Sequence, residues 1–340
     1  MTGLWYALVA ILFVVYAVLD GFDFGAGTLQ LFVARTDRER REVLAAIGPV
    51  WNGNEVWLIA GGATLFFAFP QAYAAGFSGF YLPLMLVLWL LALRGISIEL
   101  RSHLQDALWR QFWDAVLCGS SAAMSLVLGA ALGNVLRGVP LDSSGTFMAP
   151  WFTNFRVRGQ AGVLDWYTIL LGIFAVVALG VHGGLFLAWR NEGAVRERAQ
   201  RAAHVLWPMM TALGLVAIGA TEIVRPEIYR QLLARPWAWL LMLLAFLGLI
   251  GARWLRDLPA FLASSAFLAG TLAATAAGMF PVLLPSTLNP AFAITAAGAA
   301  AGEHSQRVAL GWWGIGIPLA LAYTTYVYRS LRGKAVASEH

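Results

Sequence analysis

Residues 4–27, LWYALVAILFVVYAVLDGFDFGAG, begin with an apolar run from Leu4 to Leu19 that carries no charge. Two aspartates, Asp20 and Asp23, follow it with glycines around them. An apolar run of this length is typical of a transmembrane helix. No basic segment precedes it and no small-residue cleavage motif stands before Asp20, so we interpret it as a membrane span rather than a secretory signal.

The composition extends this interpretation to the whole chain. Of the 340 residues, 60% are hydrophobic and 12% are charged, whereas about 25% are charged in an ordinary soluble domain. Apolar runs near the length of a span recur along the sequence. The sequence therefore predicts an all-α integral membrane protein. Its one cysteine, Cys118, excludes an internal disulfide.

The apolar runs predict about nine transmembrane helices. Their approximate ranges are 4–25, 51–70, 73–93, 114–136, 162–187, 205–224, 237–252, 258–281 and 308–328. We expect one polytopic membrane domain over residues 1–340. Within it we expect two four-helix bundles, about 1–136 and 161–281, and a peripheral last helix.

The basic residues predict the orientation. If the N-terminus lies outside, 16 of the 23 basic residues fall in inner segments and seven in outer segments. Arg332 is one of the inner residues and Arg158 one of the outer ones. The positive-inside rule then places the N-terminus outside and the C-terminus in the cytoplasm. Four charged residues after the third span are expected to form a solvated face: Glu99, Arg101, Asp106 and Arg110.

The two aspartates stand at i and i+3, on one face of the first helix and, by the predicted boundaries, at its inner C-terminal end. A helix dipole disfavours anions there, and charges at membrane depth usually face the interior or a water-filled route. They are either an ordinary helix end in interfacial water or a functional pair. The flanking glycines would let another helix approach closely; they are Gly21, Gly25 and Gly27.

A second polar cluster, WNGNEVWL (51–58), opens the second span. Trp51 suits a membrane interface, and Asn52 and Asn54 could cap the helix. Neither explanation covers Glu55, because a carboxylate one turn inside a span needs a partner or a proton. We therefore favour a functional role for Glu55.

The remaining polar residues predict no cofactor of the chain's own. His182 is the only histidine well inside a span, and an interhelical hydrogen bond is favoured over a metal or haem ligand. Haem iron needs facing axial ligands, which the spans lack. Asp114 and Asp165 are expected to be charges at helix N-termini.

Together the polar clusters resemble subunit II of the cytochrome bd-type quinol oxidases of bacterial respiratory chains. The resemblance runs over about 300 residues. It is carried by DGFDFGAG (20–27), TDRERRE (36–42), WNGNEVWL (51–58), AAGFSGFYLPL (74–84), LGNVLRGVPLD (132–142) and MFPVLLPSTLNP (279–290).

The resemblance implies a heterodimeric complex of the bacterial cytoplasmic (inner) membrane that oxidises quinol and reduces dioxygen to water. It places two haems b and one haem d on a partner, subunit I, and makes this chain a haem-free subunit, with a structural quinone and a small single-helix subunit as further possible components. The net charge of +5 does not indicate a nucleic-acid partner, because the arginines lie in loops between the predicted spans.

The resemblance also suggests roles for single residues. Asn52 stands where some members have an aspartate of the proton path. We hypothesise that Glu55, about one helical turn on, carries the relay instead, fed by Asp20 and Asp23. Trp57 matches a residue near the proposed oxygen entrance, while Trp51 and Asn54 are assigned structural roles.

Two other functions are compatible with the polar residues. A secondary transporter would bind a coupling cation at the three carboxylates. A purely structural anchor would support another catalytic chain without moving protons.

Overall fold

The computed structural model describes residues 1–157, 159–330 and 333–335, so Arg158 and Arg332 lie outside the described residues. The helices are α1 Thr2–Val33, α2 Asp37–Ile47, α3 Trp51–Ala68, α4 Pro70–Gly79, α5 Tyr81–Leu100, α6 Ala107–Arg137, α7 Trp166–Arg190, α8 Gly193–Val224, α9 Glu227–Leu233, α10 Trp239–Trp254, α11 Asp257–Met279, α12 Ala296–Ala299 and α13 Glu303–Ser330. Two short strands, β1 Val282–Leu284 and β2 Ile294–Thr295, pair antiparallel.

The fold is all-helical, as predicted. Eight of the described helices are long and apolar enough to cross a membrane, judged by length and composition alone: α1, α5, α6, α7, α8, α10 with its preceding turn, α11 and α13. The predicted second span is helical as α3, but this helix is not among the eight. Asn52, Asn54 and Glu55, among its first five residues, lower its mean hydropathy.

Helix α1 is longer than the sequence indicated. It runs to Val33 and not to residue 25, a length of about 48 Å at 1.5 Å per residue. Asp20 and Asp23 therefore lie inside the helix, and the predicted position at its C-terminal end is wrong. The glycines do not end the helix: Gly21 and Gly25 lie where it crosses α7, and Gly27 lies against α6. A Cβ on Gly25 would stand 2.8 Å from the backbone nitrogen of Gly183.

The predicted third span, 73–93, is also displaced. Residues 70–79 form the separate helix α4, which has Pro70 in its first turn. The membrane helix begins only at Tyr81, because the backbone leaves the helical conformation at Phe69 and turns again at Phe80. Its end moves accordingly, to Leu100.

Helix α1 packs against α3, α6, α7 and α11, so it lies inside the helix assembly. Its last turns, α2, the end of α5 and the start of α6 meet at one end, which the arginine distribution predicts to be the inner one. Helix α7 begins at an N-cap, Asp165, whose carboxylate accepts from the backbone N–H groups of Tyr167 and Thr168. This agrees with the N-terminal charge expected there. The division into two bundles stays a prediction.

Candidate functional site

Asp20, Glu55 and Arg94 form a buried ionic cluster where α1, α3 and α5 meet. The Arg94 guanidinium donates to Asp20 Oδ1 at 2.5 Å with one terminal nitrogen and to Glu55 Oε1 with the other. Asp20 and Arg94 are at most 1% exposed, whereas the Glu55 side chain keeps 21% of its surface. One guanidinium therefore joins two carboxylates that come from different helices.

Arg94 is a residue of this site that the sequence did not single out, because the predicted third span ends at residue 93 and so leaves Arg94 in an inner segment. Helix α5 continues past it, so Arg94 lies within the helix and is buried. Its guanidinium carbon lies 4.3 Å from the ring centroid of Phe24 and 5.8 Å from that of Trp51. The available signal was a single arginine inside the otherwise apolar run YLPLMLVLWLLALRGISI (81–98).

Asp23 belongs to the same cluster through Asn54. The Asn54 amide donates to Asp23 Oδ2 at 2.8 Å and to the carbonyl of Leu19 at 3.2 Å. The hydroxyl of Tyr328, on α13, donates to Asn54 Oδ1 at 2.9 Å. Asp23 Oδ1 is buried and has no donor among the described residues. Asn54 thus connects helices α1, α3 and α13.

The charges in this cluster do not balance. Asp20, Asp23 and Glu55 bring three carboxylates, and Arg94 is the cation that acts on all three. Uncompensated charge at low dielectric is costly. A proton is the smallest species that can remove the excess, so the geometry suits a group of carboxylates that share and exchange protons.

The other residues of the predicted site lie apart from this cluster or beside it. Asn52 is exposed and Val50 is the N-cap of α3 without a side-chain cap, so neither asparagine caps this helix. Trp57 is only 5% exposed and packs among apolar side chains. Trp51 lies against Gly95 of α5.

A second buried cluster centres on Asp114, in the third turn of α6. Its oxygens accept from Arg101 at 2.6 Å and from Arg40 at 2.7 Å, as well as from the Gln30 amide. Asp114 is fully buried and Arg101 is 1% exposed. The expected solvated face is therefore wrong for Arg101, and the expected N-terminal helix charge is wrong for Asp114, because side chains of α2 reach both residues: Arg40 pairs with Asp114 and Asp37 with Arg101.

His182 makes the interhelical hydrogen bond that the sequence favoured. Its Nδ1 lies 2.7 Å from Ser264 Oγ, and its Nε2 lies 2.9 Å from the carbonyl oxygen of Val18. Because both ring nitrogens are engaged, His182 does not fit an axial haem ligand in this arrangement. Over the described residues, no group of three or more histidine, cysteine, aspartate or glutamate side chains could hold a metal ion.

Comparison with known proteins gives a consistent result over nearly the whole chain. The sequence model of the family described as cytochrome bd terminal oxidase subunit II matches residues 1–331. The chain is 30% identical to the cytochrome bd-I ubiquinol oxidase subunit 2 of Escherichia coli (strain K12), over 97% of this chain and 94% of that protein. It is 32% identical to the cytochrome bd ubiquinol oxidase subunit 2 of Bacillus subtilis (strain 168), over 90% and 88%.

The fold agrees with these similarities. A chain of the bd oxidase from Geobacillus thermodenitrificans superposes with a TM-score of 0.74, at 19% identity, over 97% of this chain and 98% of that one. At this identity the match concerns the fold alone, whereas the sequence comparisons identify the family. The chain belongs to the cytochrome bd terminal oxidase subunit II family.

Proposed function

We propose that this chain is subunit II of a respiratory quinol oxidase in the bacterial cytoplasmic membrane, and that its buried carboxylates carry protons for the complex. Family membership over residues 1–331 and the relatives named as subunits of ubiquinol oxidases support the first part. The same membership disfavours the transporter. In this proposal the haems lie on subunit I, and quinol and dioxygen react there.

The ionic cluster around Arg94 is the observation that supports the proton relay. Its three carboxylates share one cation, and Glu55 is the member with an accessible surface. Asp20 and Asp23 are buried, which suits an inner position in the relay. Glu55 exchanges protons with the surroundings of α3, which in the complex include subunit I, and the two aspartates hold a proton further inside.

The decisive experiment is quinol-dependent oxygen consumption by the purified complex that carries Glu55→Gln, with the haem content recorded from the optical spectrum. We expect turnover to fall about a hundredfold, the lower end of what a positioned proton-transfer group contributes, with a normal haem spectrum. Glu303→Gln is the matched control, because Glu303 also pairs with an arginine but on an exposed helix surface.

Unchanged turnover in Glu55→Gln would refute the relay and leave the chain as a structural anchor. A purified chain without any haem-bearing partner would refute the oxidase assignment itself. The two outcomes can be told apart, because the first is a turnover measured on the assembled complex and the second is the failure of this chain to purify with a haem-bearing partner.

We also propose that Trp57 lies on the route by which dioxygen reaches the partner subunit. Dioxygen is a small apolar molecule, and the apolar surroundings of this buried indole suit its passage. Trp57→Ala is expected to change the apparent KM for dioxygen with kcat retained. An unchanged KM for dioxygen would show that Trp57 does not affect the passage of dioxygen.

A further inference from the structure

An open cavity of about 470 Å³ lies beside α8, at the same end of the helix assembly as α2. Its lining residues come from the first turns of this helix: Glu197, Gln200, Arg201, His204 and Val205. Two more arginines, Arg253 and Arg256 at the junction of α10 and α11, are close enough to act electrostatically on His204. Arginines of α8 and of the α10–α11 junction thus lie at or near this cavity.

Within the part of the chain that the structure describes, no carboxylate pairs with Arg201, Arg253 or Arg256. Two neighbouring arginines are paired, Arg196 with Asp257 at 2.9 Å and Arg198 with Glu39 at 2.6 Å. The difference shows that acids are within reach of this surface but do not neutralise the three arginines.

The local charge is positive even when every lining group is included. Glu197 is the acid among the lining residues, where it accompanies Arg201 and His204, and Arg253 and Arg256 act on His204 from nearby. Two positive charges remain after Glu197 is set against the three arginines. An anion is therefore the ligand that this surface favours.

Apolar surface continues directly from the cationic rim. Val205 is 60% exposed and Trp254 is 75% exposed. The Arg253 guanidinium lies 5.7 Å from the Trp254 ring, and tryptophans at helix ends are typical of the membrane interface. Further along α8, the Trp207 indole donates to the carbonyl of Leu249 at 2.9 Å and joins α8 to α10.

We propose that this cavity, which we call the headgroup site, binds the phosphate of an anionic phospholipid whose acyl chains lie along α8 and α10. Unpaired arginines above lipid-facing apolar side chains match both parts of such a molecule, since basic pockets between transmembrane helices bind anionic headgroups. A soluble phosphate would use only the arginines. The site is independent of the ionic cluster around Arg94, so it does not rest on the proton relay.

The test uses the purified complex, stripped of lipid in detergent and titrated with short-chain phosphatidylglycerol under native mass spectrometry. The wild type is expected to retain the lipid. The variant Arg201→Gln/Arg253→Gln/Arg256→Gln is expected to bind about a hundredfold more weakly, at about fivefold for each arginine near a headgroup. Short-chain phosphatidylcholine, with no net charge, is expected not to be retained at this site.

A matched control removes the same charge elsewhere at this end of the molecule. Arg35→Gln/Arg38→Gln/Arg329→Gln changes three exposed arginines and should bind phosphatidylglycerol like the wild type. Equal losses in both triple variants would overturn the site and leave a general effect of charge. Assembly and the haem spectrum of each variant show whether the complex is intact.

Glycerol phosphate, the headgroup without acyl chains, separates the two sources of the anion. If it binds as tightly as the short-chain lipid and with the same dependence on the three arginines, the lipid assignment is overturned in favour of a soluble phosphate. If a protein subunit is found crosslinked at Arg201 or Trp254 in native membranes, the site is an interface and the proposal fails.

Discussion

Replacing Arg94 tests the ionic cluster most directly. Arg94→Gln removes both hydrogen-bonded ion pairs, to Asp20 and to Glu55, and leaves Asp20 with no exposed surface and no cation. Removing one partner of a buried ion pair costs about 3–5 kcal/mol. That corresponds to about a hundredfold to a few thousandfold in the ratio of folded to unfolded protein.

Adding Asp20→Asn should recover part of this loss. The second substitution takes away the carboxylate that Arg94→Gln leaves uncompensated, so the double variant is expected to be more stable than the single one. Residues in one ionic network typically show coupling of about 0.5–3 kcal/mol. The order of stability should be wild type, then Arg94→Gln/Asp20→Asn, then Arg94→Gln.

The assay is the midpoint of thermal loss of the assembled, haem-bearing complex, followed by fluorescence-detected size-exclusion chromatography after heating. Arg307→Gln is the matched control: this arginine also pairs with a glutamate, but on the surface, where an ion pair contributes about 0–1 kcal/mol. If Arg94→Gln melts like the wild type, or if the effects of Arg94→Gln and Asp20→Asn simply add, the cluster does not hold the helices as described.

Three further predictions concern the helix contacts. Asp114→Asn should destabilise the complex by about 3 kcal/mol, the lower end for a broken buried ion pair, because the buried Arg101 then keeps only the partly exposed Asp37 as its partner. Asp106→Asn should change little because asparagine is an equally good N-cap, and similar midpoints for the two variants would contradict this. Gly25→Ala should reduce the yield of assembled complex because its Cβ would meet the backbone of α7. Gly219→Ala should not reduce it, because there is open space around Gly219. A normal yield of Gly25→Ala would show that α1 and α7 can move apart to accept the added methyl group. The Arg198 guanidinium and two backbone N–H groups hold the pKa of Glu39 below its ordinary value of 4.5, so this carboxylate stabilises the fold above pH 4.5 and loses that effect as the pH falls towards its lowered pKa. The difference in melting midpoint between the wild type and Glu39→Gln should accordingly shrink below pH 4.5, and a constant difference would refute it.

The sequence by itself determined the class of this protein and the residues that deserved study. Long apolar runs and scarce charges are local properties of the chain, and they require membrane helices whatever the arrangement of those helices. The same holds for the carboxylates in DGFDFGAG and WNGNEVWL, which are conspicuous because little else in these runs is polar. The family resemblance rested on these motifs, and the comparisons confirmed it.

Only the tertiary structure decided where the helices end and which charges meet. Helix α1 continues through its glycines because α6 and α7 pack closely against them. A cluster of glycines in the sequence alone is equally compatible with a helix end. Arg94 and Asp114 had been assigned to a loop and a helix start, and both are buried in ion pairs. Their partners lie on other helices, far apart in sequence, so local patterns contain no information about the contacts that compensate their charge.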